Sequence, residues 1–514
     1  MHASKIINEY IDLIKSDPEK YYKDFLVTKE MVKNSTAYYK GLPVPFTYQP
    51  FFIDSHDEEN FQYILDMILG ISKKVTKEYI ANPEYRKLFG FPKFIEDMIL
   101  VDNGYGVEIP MGRFDIFYDS RDNFKFCEIN TDGSSAMNED MVIGKILSQS
   151  KGLKDFSKTY NLSTYELFDS WVAECLELYS KYDPDNKNPN VAIMDVMESA
   201  SSNEFKEFKR AFERAGLNCE IVDVRNLEYR DGALYHEDYK IDLIYRRLVT
   251  FELINYKDEC QAFIDAYMDQ KVCTIGSIQS QVVHNKIFFK ILFDEETKAL
   301  LTDEENDFVK NHIPYTGILG GDRNVLEKLK KDKDAYIIKP MDRNASTGVY
   351  VGLDLSQEEW EKNIERDFDQ DFIYQDFVDD MDIPFIFFDE DGKPYVKELM
   401  NTTGIFAYNE KFAGLYTRLG DENIISGLTD YITGPTVLAV KRDMDDILPR
   451  INELAKIAKE RQLTAEETLE REDLRKEYIF RFRSGFKSSM KNVKVVDEEG
   501  TDVTPQKLKD LKDK

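Results

Sequence analysis

The sequence predicts an α/β protein of mixed (α+β) type, with a small parallel-sheet subdomain near its middle and an α-helical hairpin at its C-terminal end. Three observations carry this. Residues 112–131 alternate apolar and polar in two runs, GRFDIFYD and NFKFCEINTD, joined by Ser120 to Asn123, which reads as a β-hairpin. Residues 191–246 read strand, helix, strand, strand (VAIMDV, EFKEFKRAFERAG, CEIVDV, IDLIYRRL), the pattern of a parallel sheet. Near residue 445 the charge balance changes: residues 446–514 hold 16 Lys and Arg against 15 Asp and Glu, whereas residues 1–445 hold 52 against 82.

The remaining elements follow in chain order. At the start, Ile6, Ile7, Tyr10, Ile11 and Ile14 recur at helical spacing until GLPVPFTYQP (41–50) breaks the pattern, and a second helical run covers roughly 57–82. In the hairpin, strict alternation places Arg113, Asp115 and Phe117 on one face of the first strand, and Phe126, Glu128 and Asn130 on one face of the second. The helix of the middle subdomain ends at Gly216. From about 334 onward the expected strands are DAYIIKP, GVYVGL, DFIYQDFV and IPFIFFDEDGKPYVKEL. In the last segment Ile451, Leu454 and Ile457 form one helical stripe, Thr464 and Glu467 a capping box, and Leu474, Tyr478, Phe482 and Phe486 the stripe of a second helix. Beyond Asn492 the periodicity is lost, and the segment is expected to be mobile.

Composition removes several function classes. A chain of 514 residues exceeds what one core usually serves, so two or three domains are expected. A net charge of −29 argues against binding a nucleic-acid backbone with the molecule as a whole, and would tolerate a cationic substrate. Five scattered cysteines without a C-x-x-C pair fit a reducing compartment rather than a zinc site. The first thirty residues have scattered charges and no apolar core, and no apolar run reaches membrane length, so a cytoplasmic protein without a membrane partner is expected. The signatures H-E-x-x-H, G-x-S-x-G and G-x-x-x-x-G-K-[ST] do not occur, which disfavours a zincin, an α/β-hydrolase and a P-loop ATPase.

The informative cluster is Arg113-x-Asp115 followed by Glu128-x-Asn130. Two carboxylates and an amide oxygen make a hard-oxygen site suited to Mg2+, and the arginine can neutralise charge on a transferring phosphoryl group. Alone, such residues on a hairpin read as solvated surface. Lys339 ends the strand DAYIIKP ahead of MDRNASTG, a loop of small polar residues including Ser346, Thr347 and Gly348, which suits phosphate. In FIYQDFVDD, Gln375 and Asp376 offer side-chain contacts to an adenine edge, and in HNKIFFKILF a helical reading turns Lys286 the same way as Lys290.

Together these motifs resemble the glutathionylspermidine synthase family. GRFDIFYD followed by FKFCEINTDGSSAMNE resembles that family's R-x-D and E-x-N-x-D segment, and HNK, YIIKP, FIYQDFV and FAGLYTRLG continue in family order over roughly residues 30–440. The resemblance implies a circularly permuted ATP-grasp fold, because the acidic cluster precedes Lys286 and Lys339. It implies a synthetase domain over 1–440, containing an α/β subdomain (191–270) and a nucleotide-binding part (281–440). It further implies an ATP- and Mg2+-dependent carboxylate–amine ligase working through an acyl phosphate. By resemblance Asp115, Glu128 and Asn130 hold Mg2+; Lys286, Lys339, Gln375, Asp376, Ser346, Thr347 and Gly348 hold ATP; Arg113 and Arg418 are catalytic; Ser134 and Ser135 lie near the carboxylate substrate. The substrates implied are a small-molecule or peptide carboxylate and an amine, such as a polyamine. Two departures stand out. The loop after Lys339 is poor in glycine, and no cysteine precedes Cys127, so the amidase of bifunctional relatives is not expected. A second reading is a catalytically silent nucleotide-binding regulator acting through the C-terminal hairpin.

Residues 447–514 resemble the small YnzC-like bacterial family, giving a separate domain over 446–514. A short hairpin leaves an apolar face under-buried, so residues 447–490 are expected to serve homo-oligomerisation or a protein partner. Its basic residues Arg475, Lys476, Arg481, Arg483, Lys487, Lys491 and Lys494 read first as a solvated face, with contact to nucleic acid or an acidic partner as the alternative.

Overall fold

The computed structural model describes residues 4–39, 41–198, 200–343, 346–378, 381–425, 431–442 and 444–464, and, between 467 and 479, residues 467, 468, 470–472, 474, 475, 478 and 479. The chain divides into two compact units, Met1–Gly152 with Ser163–Leu438, and Leu153–Leu162 with Ala439–Lys514. Among the described residues no helix is long and apolar enough to cross a membrane.

In the larger unit, the helix Ser55–Ala81 (α1) opens on a capping box in which the Asp54 side chain accepts from the Asp57 backbone and Asp57 answers to Asp54. The hairpin follows as β1 (Met111–Tyr118) and β2 (Phe124–Asn130). After α2 (Met137–Leu147) come β3 (Val191–Asp195), α3 (Ser202–Arg214), β4 (Cys219–Asp223), β5 (Leu243–Arg246) and β6 (Cys273–Ile275). Strands β3 to β6 pair in parallel in the order β6-β5-β3-β4, as the strand–helix–strand pattern predicts. The apolar stripe of α3, Phe205, Phe208 and Phe212, is buried against this sheet, and the helix stops just before Gly216, which adopts φ +87.

The second half builds two antiparallel sheets. Strands β7 (Thr316–Ile318), β8 (Tyr336–Pro340), β9 (Tyr350–Val351) and β10 (Phe372–Asp376) form one, in the order β7-β10-β8-β9, over a small core that includes Trp360, Ile364, Leu326 and Leu329. The expected strand GVYVGL is cut to two residues. At Gly352 the chain turns into a 3-10 helix, packed so close to the Lys333 carbonyl that no Cβ would fit. Strands β11 (Asp382–Phe388), β12 (Pro394–Tyr408), β13 (Lys411–Gly420) and β14 (Ile432–Gly434) join the first hairpin in one sheet, in the order β14-β13-β12-β1-β2, with β11 also on β12. The long β12 thus brings the end of the unit beside a hairpin some three hundred residues earlier. Trp171, Phe208, Tyr245, Phe406 and Tyr408 share one core cluster, which ties the parallel sheet to the large antiparallel one.

In the smaller unit, α4 (Met444–Glu460) buries Ile447, Ile451 and Leu454 in a cluster with Leu474, with Ile457 and Tyr478 partly buried against it. The expected capping box is present: Glu467 N–H donates to Thr464 Oγ1 (3.1 Å) and Thr464 N–H to Glu467 Oε2 (2.9 Å). Arg450 reaches both carboxylate oxygens of Glu470 at 2.9 Å. Phe482, Phe486, the basic residues from Lys476 onward and the tail beyond Asn492 lie outside the described residues.

Candidate functional site

Strands β1 and β2 pair antiparallel with Asp115 opposite Glu128, but the register shifts at the next step and Ile116 faces Phe126. Cys127 is the extra residue of a β-bulge. The bulge corrects the expectation from strict alternation: Glu128 shares a face with Asp115, whereas Phe126 pairs with Ile116 on the other, where both are fully buried. One inserted residue therefore aims the second carboxylate at the first.

Asp115 is inaccessible to solvent and accepts four N–H bonds, one at Oδ1 and three at Oδ2. Arg113 grips it with both edges of a fork, Nε to Oδ1 at 2.7 Å and Nη2 to Oδ2 at 2.9 Å. Arg418, on β13, donates to Oδ2 at 2.7 Å, and Asn130 Nδ2 does so at 3.2 Å while also lying 3.1 Å from Glu128 Oε1. The fork needs room, and Gly404 on β12, directly opposite Asp115, supplies it. A Cβ there would come within 2.7 Å of both Arg113 Cδ and Asp115 Oδ1. A glycine inside a strand signals such an approach, and motif reading passed over Gly404. Gly404→Ala is expected to displace the Arg113 fork and lower the melting temperature by several degrees, as melting curves of both forms would show.

Glu128 is ringed by cations. Burial works to raise its carboxyl, but the charges of Lys286, Arg418 and Arg113 outweigh it and hold the group down at about 2. It stays ionised at any working pH. Lys286 Nζ stands 3.8 Å from Glu128 Oε2 and donates to the Arg343 carbonyl at 3.0 Å, so the lysine also touches the loop that follows β8. Lys290 is spent on Asp294, just beyond the helix Ile287–Ile291, at 2.7 Å. Lys339, at the end of β8, donates to Gln375 Oε1 (2.8 Å) and to the carbonyl of the bulged Cys127 (3.0 Å), while Gln375 Nε2 donates to Thr316 Oγ1 (2.9 Å). The smaller sheet thereby meets the hairpin at the bulge.

The structure thus gathers Arg113, Asp115, Glu128, Asn130, Lys286 and Arg418 in one connected cluster, with Lys339 and Gln375 attached through Cys127. Ser134 Oγ donates to the Asn130 carbonyl, and the Ser135 carbonyl accepts from Arg113 Nη1 at 2.8 Å, so both serines border the cluster. Asp376 stands at the exposed end of β10, its carboxyl raised by burial against the pull of Lys328 and Lys125. Ser346, Thr347 and Gly348 form the turn beyond β8; Ser346 (φ 56) and Gly348 (φ 80) both adopt the left-handed conformation. Asn344 and Ala345 lie outside the described residues. Motif reading also missed the anchor of this loop, Asp342, whose Oδ2 accepts from the buried Gln281 Nε2 at 2.7 Å.

Among the described residues no group of three or more His, Cys, Asp or Glu side chains gathers to hold a metal. The two carboxylates are hard-oxygen donors of the kind that fit magnesium, and Asn130 can add its amide oxygen only by turning its Nδ2 away from them. Glu128 has the more accessible oxygens, whereas those of Asp115 are taken up by the arginines.

The profile of the glutathionylspermidine synthase pre-ATP-grasp family matches residues 57–433, which is most of the chain and includes every member of this cluster. The chain belongs to the glutathionylspermidine synthase family. With Asp115, Glu128 and Asn130 ahead of Lys286 and Lys339, this member shows the permuted ATP-grasp order of a carboxylate–amine ligase family. A glutathione synthetase-like effector from Globodera pallida in its apo form shares the fold, with a TM-score of 0.51 over 82% of this chain and 98% of that one, at 10% identity. The C-terminal segment belongs to a different family: residues 446–509 match a bacterial protein family of unknown function, DUF896. Over 67 residues the chain is 54% identical to the UPF0291 protein SAV1341 of Staphylococcus aureus (strain Mu50), 13% of this chain and 85% of that protein. Over 66 residues it is 52% identical to the UPF0291 protein SERP0911 of Staphylococcus epidermidis (strain RP62A), again 13% and 85%.

Proposed function

We propose that this protein joins a carboxylate to an amine at the expense of ATP, activating the carboxylate as an acyl phosphate that the amine then attacks. The observation that carries the reading is the convergence on Asp115 of two arginines from different strands, beside Glu128 and Lys286. Arg113, Arg418, Lys286 and Lys339 outnumber Asp115 and Glu128, so a site of local positive charge sits in a chain of net charge −29. Such a preorganised excess suits a polyphosphate and the charge that develops as a phosphoryl group moves.

In this reading Lys339, Lys286, Gln375, Asp376 and the turn Ser346 to Gly348 hold ATP. Arg113 and Arg418, released in part from Asp115, meet the transferring phosphoryl group and the developing acyl phosphate. Ser134 and Ser135 border the carboxylate. Glu128, Asn130 and Asp115 are the residues that would hold magnesium, which when bound would neutralise phosphate oxygens. The ionised state of Glu128 and the hard-oxygen donor set support this role. The test is release of ADP and phosphate, which is expected only when ATP, a carboxylate and an amine are all present, with γ-glutamyl peptides and polyamines screened as pairs. Nucleotide binding without release under any pairing would favour a silent regulator instead.

The chemistry is expected to need only the larger unit. A chain ending after Arg442 retains β14 and every proposed site residue. It should keep ADP release per active site while losing self-association or a partner, as sedimentation of both forms would show. Loss of release in a folded truncated chain would place part of the active site in the C-terminal segment.

A further inference from the structure

The stretch SQVVHNK, Ser280 to Lys286, folds as the short helix Gln281–His284 followed by an extended Asn285. One end of it is tied to the hairpin: Thr131, the residue after β2, donates its hydroxyl to the Ser280 carbonyl at 3.0 Å. The same stretch holds three successive residues of the loop after β8. Lys286 N–H donates to the Met341 carbonyl at 2.9 Å, Gln281 Nε2 to Asp342 Oδ2 at 2.7 Å, and Lys286 Nζ to the Arg343 carbonyl at 3.0 Å. His284, three residues after Gln281 and therefore on the same helix face, places Nε2 3.8 Å from Asp342 Oδ1.

These side chains are deeply buried and poorly suited to plain packing. Gln281 is 1% exposed and His284 4%, and among the described residues Gln281 Oε1 and His284 Nδ1 have no partner. Two buried polar groups left half satisfied cost more than an apolar pair of the same shape. What both of them face is the Asp342 carboxylate.

The loop itself needs such a hold. From Lys339 to Thr347 it contains no glycine, and the Arg343 guanidinium lies 4.7 Å from the Phe251 ring rather than on any phosphate-facing group of the site. Of the three contacts, that of Lys286 Nζ is the one nucleotide binding breaks, because in the reading given above this ammonium turns to phosphate. The Gln281–Asp342 bond and the backbone bond to Met341 are left to hold the loop base.

We propose that Gln281 and Asp342 form a latch that fixes the base of the phosphate-covering loop, so that the loop keeps its place over the nucleotide when Lys286 leaves the Arg343 carbonyl. Asp342 is a positioning residue: it acts on the loop and not on the nucleotide. Fixing the base beforehand lowers the ordering cost that a loop without glycines otherwise meets on binding, and the gain falls on ligands whose phosphates the loop covers. This deepens the nucleotide reading of the site and rests on it.

The probes are adenylyl imidodiphosphate with Mg2+, and AMP, each added to the full chain and followed by calorimetry, with trypsin cleavage after the exposed Arg343 read by mass spectrometry. Asp342→Ala should weaken the triphosphate analogue about tenfold and leave AMP unchanged, since AMP has no β- or γ-phosphate for the loop to cover. Gln281→Leu, which keeps the shape of the side chain and removes its donor, should do the same and carries the test alone if the Asp342→Ala chain does not fold. The double variant should bind no worse than either single one, as for two residues that share one contact. Asp342→Asn keeps an acceptor for Gln281 and should stay within about twofold of wild type. Without nucleotide, cleavage after Arg343 should be about fivefold faster in Asp342→Ala and Gln281→Leu than in wild type or Asp342→Asn. The latch is overturned if the single variants bind the analogue as wild type does, if AMP weakens in step with the analogue, or if the two losses add. A wild-type chain that does not bind the analogue would sink the nucleotide reading and the latch with it, whereas analogue binding indifferent to both substitutions sinks the latch alone.

Discussion

Glu128→Ala should abolish turnover, lowering the rate by about a thousandfold or more, equivalent to about 4 kcal/mol of transition-state stabilisation. Its carboxylate is held at about 2 by surrounding cations, so at neutral pH it contributes a full negative charge that a neutral side chain cannot replace. Without it, Lys286, Arg113 and Arg418 share a single carboxylate, and the residue best placed to hold magnesium beside a polyphosphate is gone. ATP binding should weaken far less than turnover, since Lys339 and Gln375 are untouched. Titrating ADP release against magnesium separates the two effects. Near wild-type rates at limiting magnesium would remove Glu128 from the metal site. Asp115→Ala should differ in kind: it leaves the buried Arg113 and the partly buried Arg418 without their shared carboxylate, at a cost of about 3–5 kcal/mol of stability, and a fall in melting temperature should accompany its loss of activity.

Lys339→Ala should raise the KM for ATP by about a hundredfold, the loss of a charge-assisted phosphate contact worth about 3 kcal/mol. The lysine is 7% exposed and bridges Gln375 to the Cys127 carbonyl, so its removal also loosens the junction between the smaller sheet and the bulge. Lys290→Ala is the internal control. That side chain is committed to Asp294, just past the end of its helix, and its removal should change KM by less than about twofold. Steady-state kinetics on both variants decide the matter, and a larger effect at Lys290 would mean that the nucleotide site is built on the other lysine.

Local chemistry made a good part of this protein legible in its sequence. The period of two in GRFDIFYD, the strand–helix–strand rhythm of 191–246, the Thr464 and Glu467 cap and the buried stripe Ile6, Ile7, Tyr10, Ile11 and Ile14 of the helix Ser4–Ser16 are interactions between near neighbours, and each appears where its pattern falls. Arg113, Asp115, Glu128 and Asn130 were legible for the same reason, being confined to one hairpin. What only the tertiary structure decided are the pairings between distant segments. No periodicity announces that Cys127 bulges and turns Phe126 away from Glu128, because a bulge is fixed by the partner strand and not by the run that contains it. Gly404 is an ordinary strand glycine until β12 lies across Asp115, and Arg418 is one basic residue among many until β13 brings it to the same carboxylate. The contrast between Arg246 and Arg247 is the sharpest case. Adjacent and identical in the sequence, they project to opposite faces of the strand end, so that one meets carbonyls and an aspartate and the other a single glutamate and aromatic rings. Sequence sets which groups a segment can offer; the fold decides which of them find partners, because partner atoms arrive from segments hundreds of residues away.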